Sequence, residues 1–178
     1  DNLLTFLVPS LSLSKNGSVE GTFKTNNTVL FTCFAEFDTI AYDGNEFYSN
    51  YFDLYSSKKA LSPEVLISLI LDSQKQQYSN EIETENLQVN GSWGSGREII
   101  FDASIFQPEY ENRAQAFGAI TFDQDGYDLK INERNSLIRL LDNDWVFNPN
   151  NFVEFKDGEI WFNDFEIRNN NQSLAING

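Results

Sequence analysis

Three sets of residues have the types that binding or catalysis needs. The first is Asp123-Gln-Asp-Gly-Tyr-Asp128, which gathers carboxylates at the density of a calcium loop. An EF-hand loop also needs a bidentate Glu at its twelfth position, and none stands there. An Asp-Gly pair between two apolar alternations is what a tight hairpin turn uses, and the stretch is read as a turn. The second set is the carboxylates at large. With 27 Asp and Glu, some pair must fall at glycosidase spacing by chance, so no pair is singled out. The third is Trp93, Trp145 and Trp161. Aromatic rings on a β surface can stack on sugars, and Trp161, out of phase with Ile160 and Phe162, is expected to be exposed. Trp93 falls in the inward phase of its strand.

What is missing narrows the chemistry further. The sequence has no His, which removes Ser-His-Asp, Cys-His and His-metal centres together. Cys33 is alone, so neither an internal disulfide nor a thiolate cluster can form, and it reads as a small buried hydrophobe. No Gly-x4-Gly-Lys-Ser/Thr phosphate loop is present. The expectation is therefore a protein that is not an enzyme and uses no metal or cofactor. A formal net charge of -15 argues against nucleic acid as a partner, because phosphate contacts need clustered Lys and Arg. No run approaches the roughly 20 apolar residues of a membrane helix. Asn16, Asn26, Asn90 and Asn171 open glycosylation sequons, which the turn-rich composition also explains. Met is absent even at position 1, so an interior piece of a longer chain, or a mature chain without its leader, is expected.

The elements that position these residues read as strands. Residues 3–8 are apolar, Pro9 interrupts, and Leu11 and Leu13 alternate before Asn16-Gly17 signals a tight turn. In residues 29–42, Phe31, Cys33, Ala35 and Phe37 share one face, with Leu30, Phe34 and Ile40 on the other. Residues 61–78 are ambiguous. Ser62, Pro63 and Glu64 resemble a helix start, whereas Val65, Ile67, Leu69 and Leu71 alternate as a strand does. Residues 137–141 suit one helical turn or an irregular strand. Turn signals at Asp43-Gly44, Gly94-Ser95-Gly96, Asp125-Gly126 and Asp157-Gly158 recur with the rhythm of an all-β chain. Between Phe162 and Phe165 the period of two slips to three, as a β-bulge at Asn163-Asp164 would require.

Leu87, Val89, Trp93, Phe101, Ile105, Ile120, Phe122, Ile160, Phe162, Phe165, Ile167, Leu174 and Ile176 are assigned to one apolar surface. The expected fold is a single all-β segment over residues 1–178. It is a long curled antiparallel sheet, an open groove built of successive hairpins with an apolar inner face. A closed β-sandwich, with a secreted carbohydrate-binding module as its function, is the alternative.

Several strand phrases carry a family resemblance. They are Leu141-Asp-Asn-Asp-Trp-Val-Phe-Asn-Pro149, Gly158-Glu-Ile-Trp-Phe-Asn-Asp-Phe-Glu-Ile167 and Asn171-Gln-Ser-Leu-Ala-Ile-Asn-Gly178. Upstream stand Val65-Leu-Ile-Ser-Leu-Ile-Leu71 and Glu85-Asn-Leu-Gln-Val-Asn-Gly-Ser-Trp93. Together they resemble the TamB family, the AsmA-like translocation and assembly module proteins, in its Bacteroidetes-type form. The resemblance implies a β-taco whose inner face carries phospholipid acyl chains through the periplasm toward the outer membrane. It also implies a link to outer-membrane protein assembly and secretion. In such proteins the inner-membrane anchor and the contact with an outer-membrane BamA-type partner lie in other parts of the chain, so this would be an interior segment. The resemblance also favours a strand for residues 61–78.

Overall fold

The computed structural model describes residues 11–13, 16–79, 81–94, 96–176 and 178; the apolar run at 3–8, Pro9 and Ser95 lie outside them. Fifteen strands follow in order: β1 (Leu11–Leu13), β2 (Gly17–Thr25), β3 (Thr28–Tyr42), β4 (Asn45–Lys59), β5 (Val65–Tyr78), β6 (Ile82–Trp93), β7 (Glu98–Gln107) and β8 (Asn112–Phe122). The shorter strands β9 (Gly126–Ile131), β10 (Leu137–Leu140), β11 (Asn143–Phe147), β12 (Phe152–Lys156), β13 (Glu159–Asn163), β14 (Phe165–Arg168) and β15 (Ser173–Ile176) complete the sheet. The only helical element among the described residues is a 3₁₀ turn, Pro108–Tyr110.

The chain is all-β, one long antiparallel sheet, curled and open rather than closed into a barrel. Strands β3 to β8 pair in sequence order. Beyond them the sheet has two levels. β8 pairs with β9 through Gly118 to Phe122 and with β10 through Arg113 to Gln115. From β9 the ladder passes to β12 and β13, and from β10 to β11, β14 and β15. No second sheet lies over the first among the described residues, so the sandwich alternative does not describe this chain.

Within residues 61–78 the strand β5 runs over Val65–Tyr78, and no helix forms. The helix-start residues make only a turn there: the Glu64 amide donates to Ser62 Oγ at 3.1 Å, and the Ser62 amide to the Lys59 carbonyl at 3.1 Å. Both edges of β5 are then occupied, by β4 and β6, which supplies more backbone bonding than an isolated helix of marginal pattern would. Within residues 137–141, Leu137–Leu140 likewise form a strand, β10. Asn16-Gly17 does not reverse the chain, because β1 and β2 both run antiparallel to β3 on the same side of it.

The molecule has little core. Only Ala35, Ile131, Phe147 and Val153 are buried hydrophobic side chains among the described residues. The accessible surface is 12181 Å² for 20.4 kDa, whereas a compact monomer of that mass exposes about 8,800 Å². A single-layer sheet explains the excess, since neither face has a partner layer.

Candidate functional site

Residues paired across antiparallel strands point to the same face, so the register assigns every strand residue to one side. Starting from Phe101, the row runs through Gly91, Leu69, Leu54, Cys33 and Gly21 in one direction and through Gly118 and Ile131 in the other. Phe101 lies across Gly118, where a Cβ would collide with its ring and with the Lys130 carbonyl oxygen. In neighbouring rows Trp93 faces Ile99, then Ile120, Leu129, Val153 and Phe162. At the far end Ile138 faces Trp145, Phe147 faces Ile167, and Phe165 and Ile167 face Ile176 and Leu174.

By this path Leu87, Val89, Trp93, Phe101, Ile105, Ile120, Phe122, Ile160, Phe162, Phe165, Ile167, Leu174 and Ile176 all stand on one face. None of them is fully buried, and Phe122, Ile160, Leu174 and Ile176 are exposed. An edge-to-face contact joins the two levels, Phe162 to Phe165 at 5.8 Å between centroids, and another, Phe147 to Phe165 at 6.0 Å, ties β11 to β14. Among the described strand residues, Lys58 is the one charged side chain that the register places on this face, opposite Val29 and Val65. The opposite face carries the remaining strand charges. There Tyr51 has its pKa raised, first by burial and then by the nearby carboxylates of Asp53, Asp72 and Glu36.

The face is crossed by two rows of buried polar side chains. The ladder loses one pair at the same level between each adjacent couple from β3 to β6, at Asp38, Ser49, Gln74 and Asn86. Ser49 and Asn86 take left-handed φ of 53° and 55° there. Asn50 Nδ2 donates to the Phe37 and Phe47 carbonyls, Ser73 Oγ to the Tyr48 carbonyl, and Gln76 Nε2 to the Ser73 carbonyl. Thr84 Oγ1 donates to Gln76 Oε1 at 2.9 Å. The second row lies where β9 and β10, β11 and β12, and β13 and β14 are interrupted. Asn151 Oδ1 accepts from the Ile131 amide at 3.0 Å, and its Nδ2 donates to the Ile131 and Asn148 carbonyls. Ser136 Oγ accepts from the Phe117 amide at 2.9 Å and donates to the Phe117 carbonyl at 3.2 Å.

One signal foretold these rows: a step of three in the apolar phase. It was visible at Phe162 to Phe165, where Asp164 takes φ 46°. Elsewhere polar residues hid it. Ile40, assigned from strict alternation to the face opposite Phe37, instead shares that face, because it pairs with Phe47 beyond the interrupted level.

The other candidates fall elsewhere. Asp123 and Asp125 lie 3.8 Å and 3.9 Å from Arg97 and Lys156, at the Asp-Gly turn between β8 and β9. Among the described residues no group of three or more His, Cys, Asp and Glu is placed to hold a metal ion. Trp161 pairs with Glu154 on the charged face and is 47% exposed. Trp145 is on the apolar face, and its indole nitrogen is buried without a hydrogen-bond partner. No described helix is long and apolar enough to cross a membrane. No family model, curated protein or solved structure matches the chain.

Proposed function

We propose that this sheet is a segment of a lipid-transfer conduit, with phospholipid acyl chains lying on its apolar face. The observation that supports this most is the continuity of that face. It runs from β2 to β15 with Lys58 as its one charge among the described strand residues, and no layer of the described protein covers it. Uncovered apolar surface of this extent calls for an occupant. Acyl chains fit because they cover hydrocarbon surface without specific polar contacts. Transport on such a face is passive. A tail moving about 4.8 Å from one strand to the next exchanges one set of Phe, Leu and Ile contacts for a similar set, so the free energy stays nearly level. Head groups remain in water at the open side.

The resemblance to the TamB family supports a periplasmic setting, with phospholipid delivered toward the outer membrane and with outer-membrane protein assembly and secretion as associated processes. A BamA-type outer-membrane partner would be met by other parts of such a chain. No catalytic step belongs to this proposal.

A photo-crosslinking residue placed in turn at 101, 102, 161 and 162 tests the proposal in the purified chain incubated with phospholipid vesicles, and again in cells. Positions 101 and 162 face the apolar side, and 102 and 161 the charged side. Phospholipid adducts at 101 and 162, and far fewer at 102 and 161, are the expected result. Equal labelling of both phases, or none in folded protein, removes the proposal.

A further inference from the structure

We infer that the two polar rows set the curl of the sheet, and that Gln76 and Asn151 are positioning residues that hold the apolar face concave. Core packing cannot set this shape, because only four hydrophobic side chains are buried among the described residues and no opposing layer exists. The bulges can. Along β3 the apolar face passes from Phe37 directly to Ile40, leaving Asp38 and Thr39 on the charged face. The same step occurs from Asn50 to Phe47, from Ser73 to Gln76, from Leu87 to Thr84, and from Phe162 to Phe165. Gln74 and Lys75 are exposed between buried Ser73 and Gln76, as this step requires. At each site the charged face is one residue longer than the apolar face. The strand must bend with the apolar side inward, and adjacent strands bend together.

A bend of this kind frees backbone groups, and the buried polar residues take them up. Among the described residues all six buried polar side chains, Asn50, Ser73, Gln76, Thr84, Ser136 and Asn151, lie in the two rows. Without them the freed groups can be satisfied by forming the missing pairs, which lie in register on both sides of the first row. That pairing straightens the strand and turns one end of it over. The pins therefore act against flattening. The inference concerns shape, and it stands whatever occupies the face.

Two spin-label pairs on the charged face read the bends separately. Labels at Glu46 and Lys59 straddle the first row along β4, and labels at Asp144 and Lys156 straddle the second along β11 and β12. A straight strand would separate the first pair by about 44 Å, and a chain extended through 148–151 would separate the second by about 41 Å. The expected distances in the native chain are shorter than both. Gln76→Leu should lengthen the first distance and leave the second unchanged, and Asn151→Leu should do the reverse. Thr84→Ser, which keeps the hydroxyl on Gln76, should behave as the native chain. Circular dichroism verifies that the strands persist. Where Gln76→Leu does not fold, Thr84→Val, which removes only the hydroxyl, carries the same expectation for the first pair. Native distances at the straight-strand values, or folded variants that keep the native distances, overturn the inference. Lipid adducts at position 162 are read on the same samples, so a chain that bends but takes no lipid counts against the conduit alone.

Discussion

The strands β3 to β6 and the strands β9 to β14 solve one problem in two ways. Both must turn a sheet without a second layer to pack on. The first group keeps its strands whole, 12 to 15 residues long, and inserts one unpaired residue in each. Its pins are small and shared: Gln76 is held by Thr84 from the next strand, and Asn50 and Ser73 each serve a carbonyl one strand or less away. The second group stops its strands at four to six residues and restarts them. Each stop leaves room for side chains from the interrupted segments, and the buried Ile131, Phe147 and Val153 all lie in this group, with Asn151 bonded to the Ile131 backbone. An unpaired residue at the same level in each strand therefore bends a sheet while leaving it a single layer. A break allows a local core to form. The long-stranded group should then tolerate change on its apolar face, whereas the broken group should fail at a few residues.

Cross-strand partners test this most severely. Val153 is 5% exposed and pairs with Phe162, which is only partly buried at the open side of the same row. Val153→Arg buries an unpaired cation and should cost several kcal/mol, enough to unfold a marginal domain. Phe162→Arg, one strand away, can extend its guanidinium to water and should cost about 1–2 kcal/mol while the fold persists. Urea denaturation followed by circular dichroism measures both. Equal losses would mean that the whole apolar face is a dry core, and the contrast between local core and open surface would be lost.

The pins should differ next. Asn151→Ala strips partners from the buried Ile131 amide and carbonyl together and should cost about 2–4 kcal/mol. Ser73→Ala frees only carbonyl acceptors, at Tyr48 and Lys75, and should cost about 1 kcal/mol. Hydrogen exchange gives a second check, since the Ile131 amide should exchange faster in the first variant and be unaffected in the second. A larger loss from Ser73→Ala would reverse the ranking of the two groups.

Much of this architecture was legible because a one-faced sheet writes itself in period two. Leu87, Val89, Ile120 and Phe122 alternate plainly, and from Gln88 onward the register carries that alternation unbroken from β6 to β9. The slip at Asn163-Asp164 showed because phenylalanines flank it. The slips at Ser49, Gln74 and Asn86 did not, because Asn50, Ser73, Gln76 and Thr84 look like ordinary solvated polar residues. Their burial is a property of the inside of a bend, and a bend is shared among strands far apart in sequence. The split of β8 between β9 and β10 was hidden for the same reason: a break in one strand gives no sign of where its two halves pair.

The smallest expected effect separates the two faces and the two functional classes. Trp161 stands on the charged face beside Glu154, 47% exposed, whereas Trp93 and Trp145 stand on the apolar face. On the conduit reading its ring touches no lipid and supports no core. Trp161→Ala should then shift stability by no more than about 0.5 kcal/mol, as for other surface substitutions, and leave phospholipid adducts at position 162 unchanged. A sugar-binding sheet makes the opposite demand, because an exposed aromatic ring among polar groups is the surface on which a pyranose would stack. The native chain and Trp161→Ala should therefore be compared on a glycan array and by tryptophan fluorescence quenching, beside the lipid adducts. Saturable glycan binding lost in the variant, with no lipid adduct in either chain, would transfer function to the charged face. Unchanged adducts without glycan binding would leave the apolar face as the working surface.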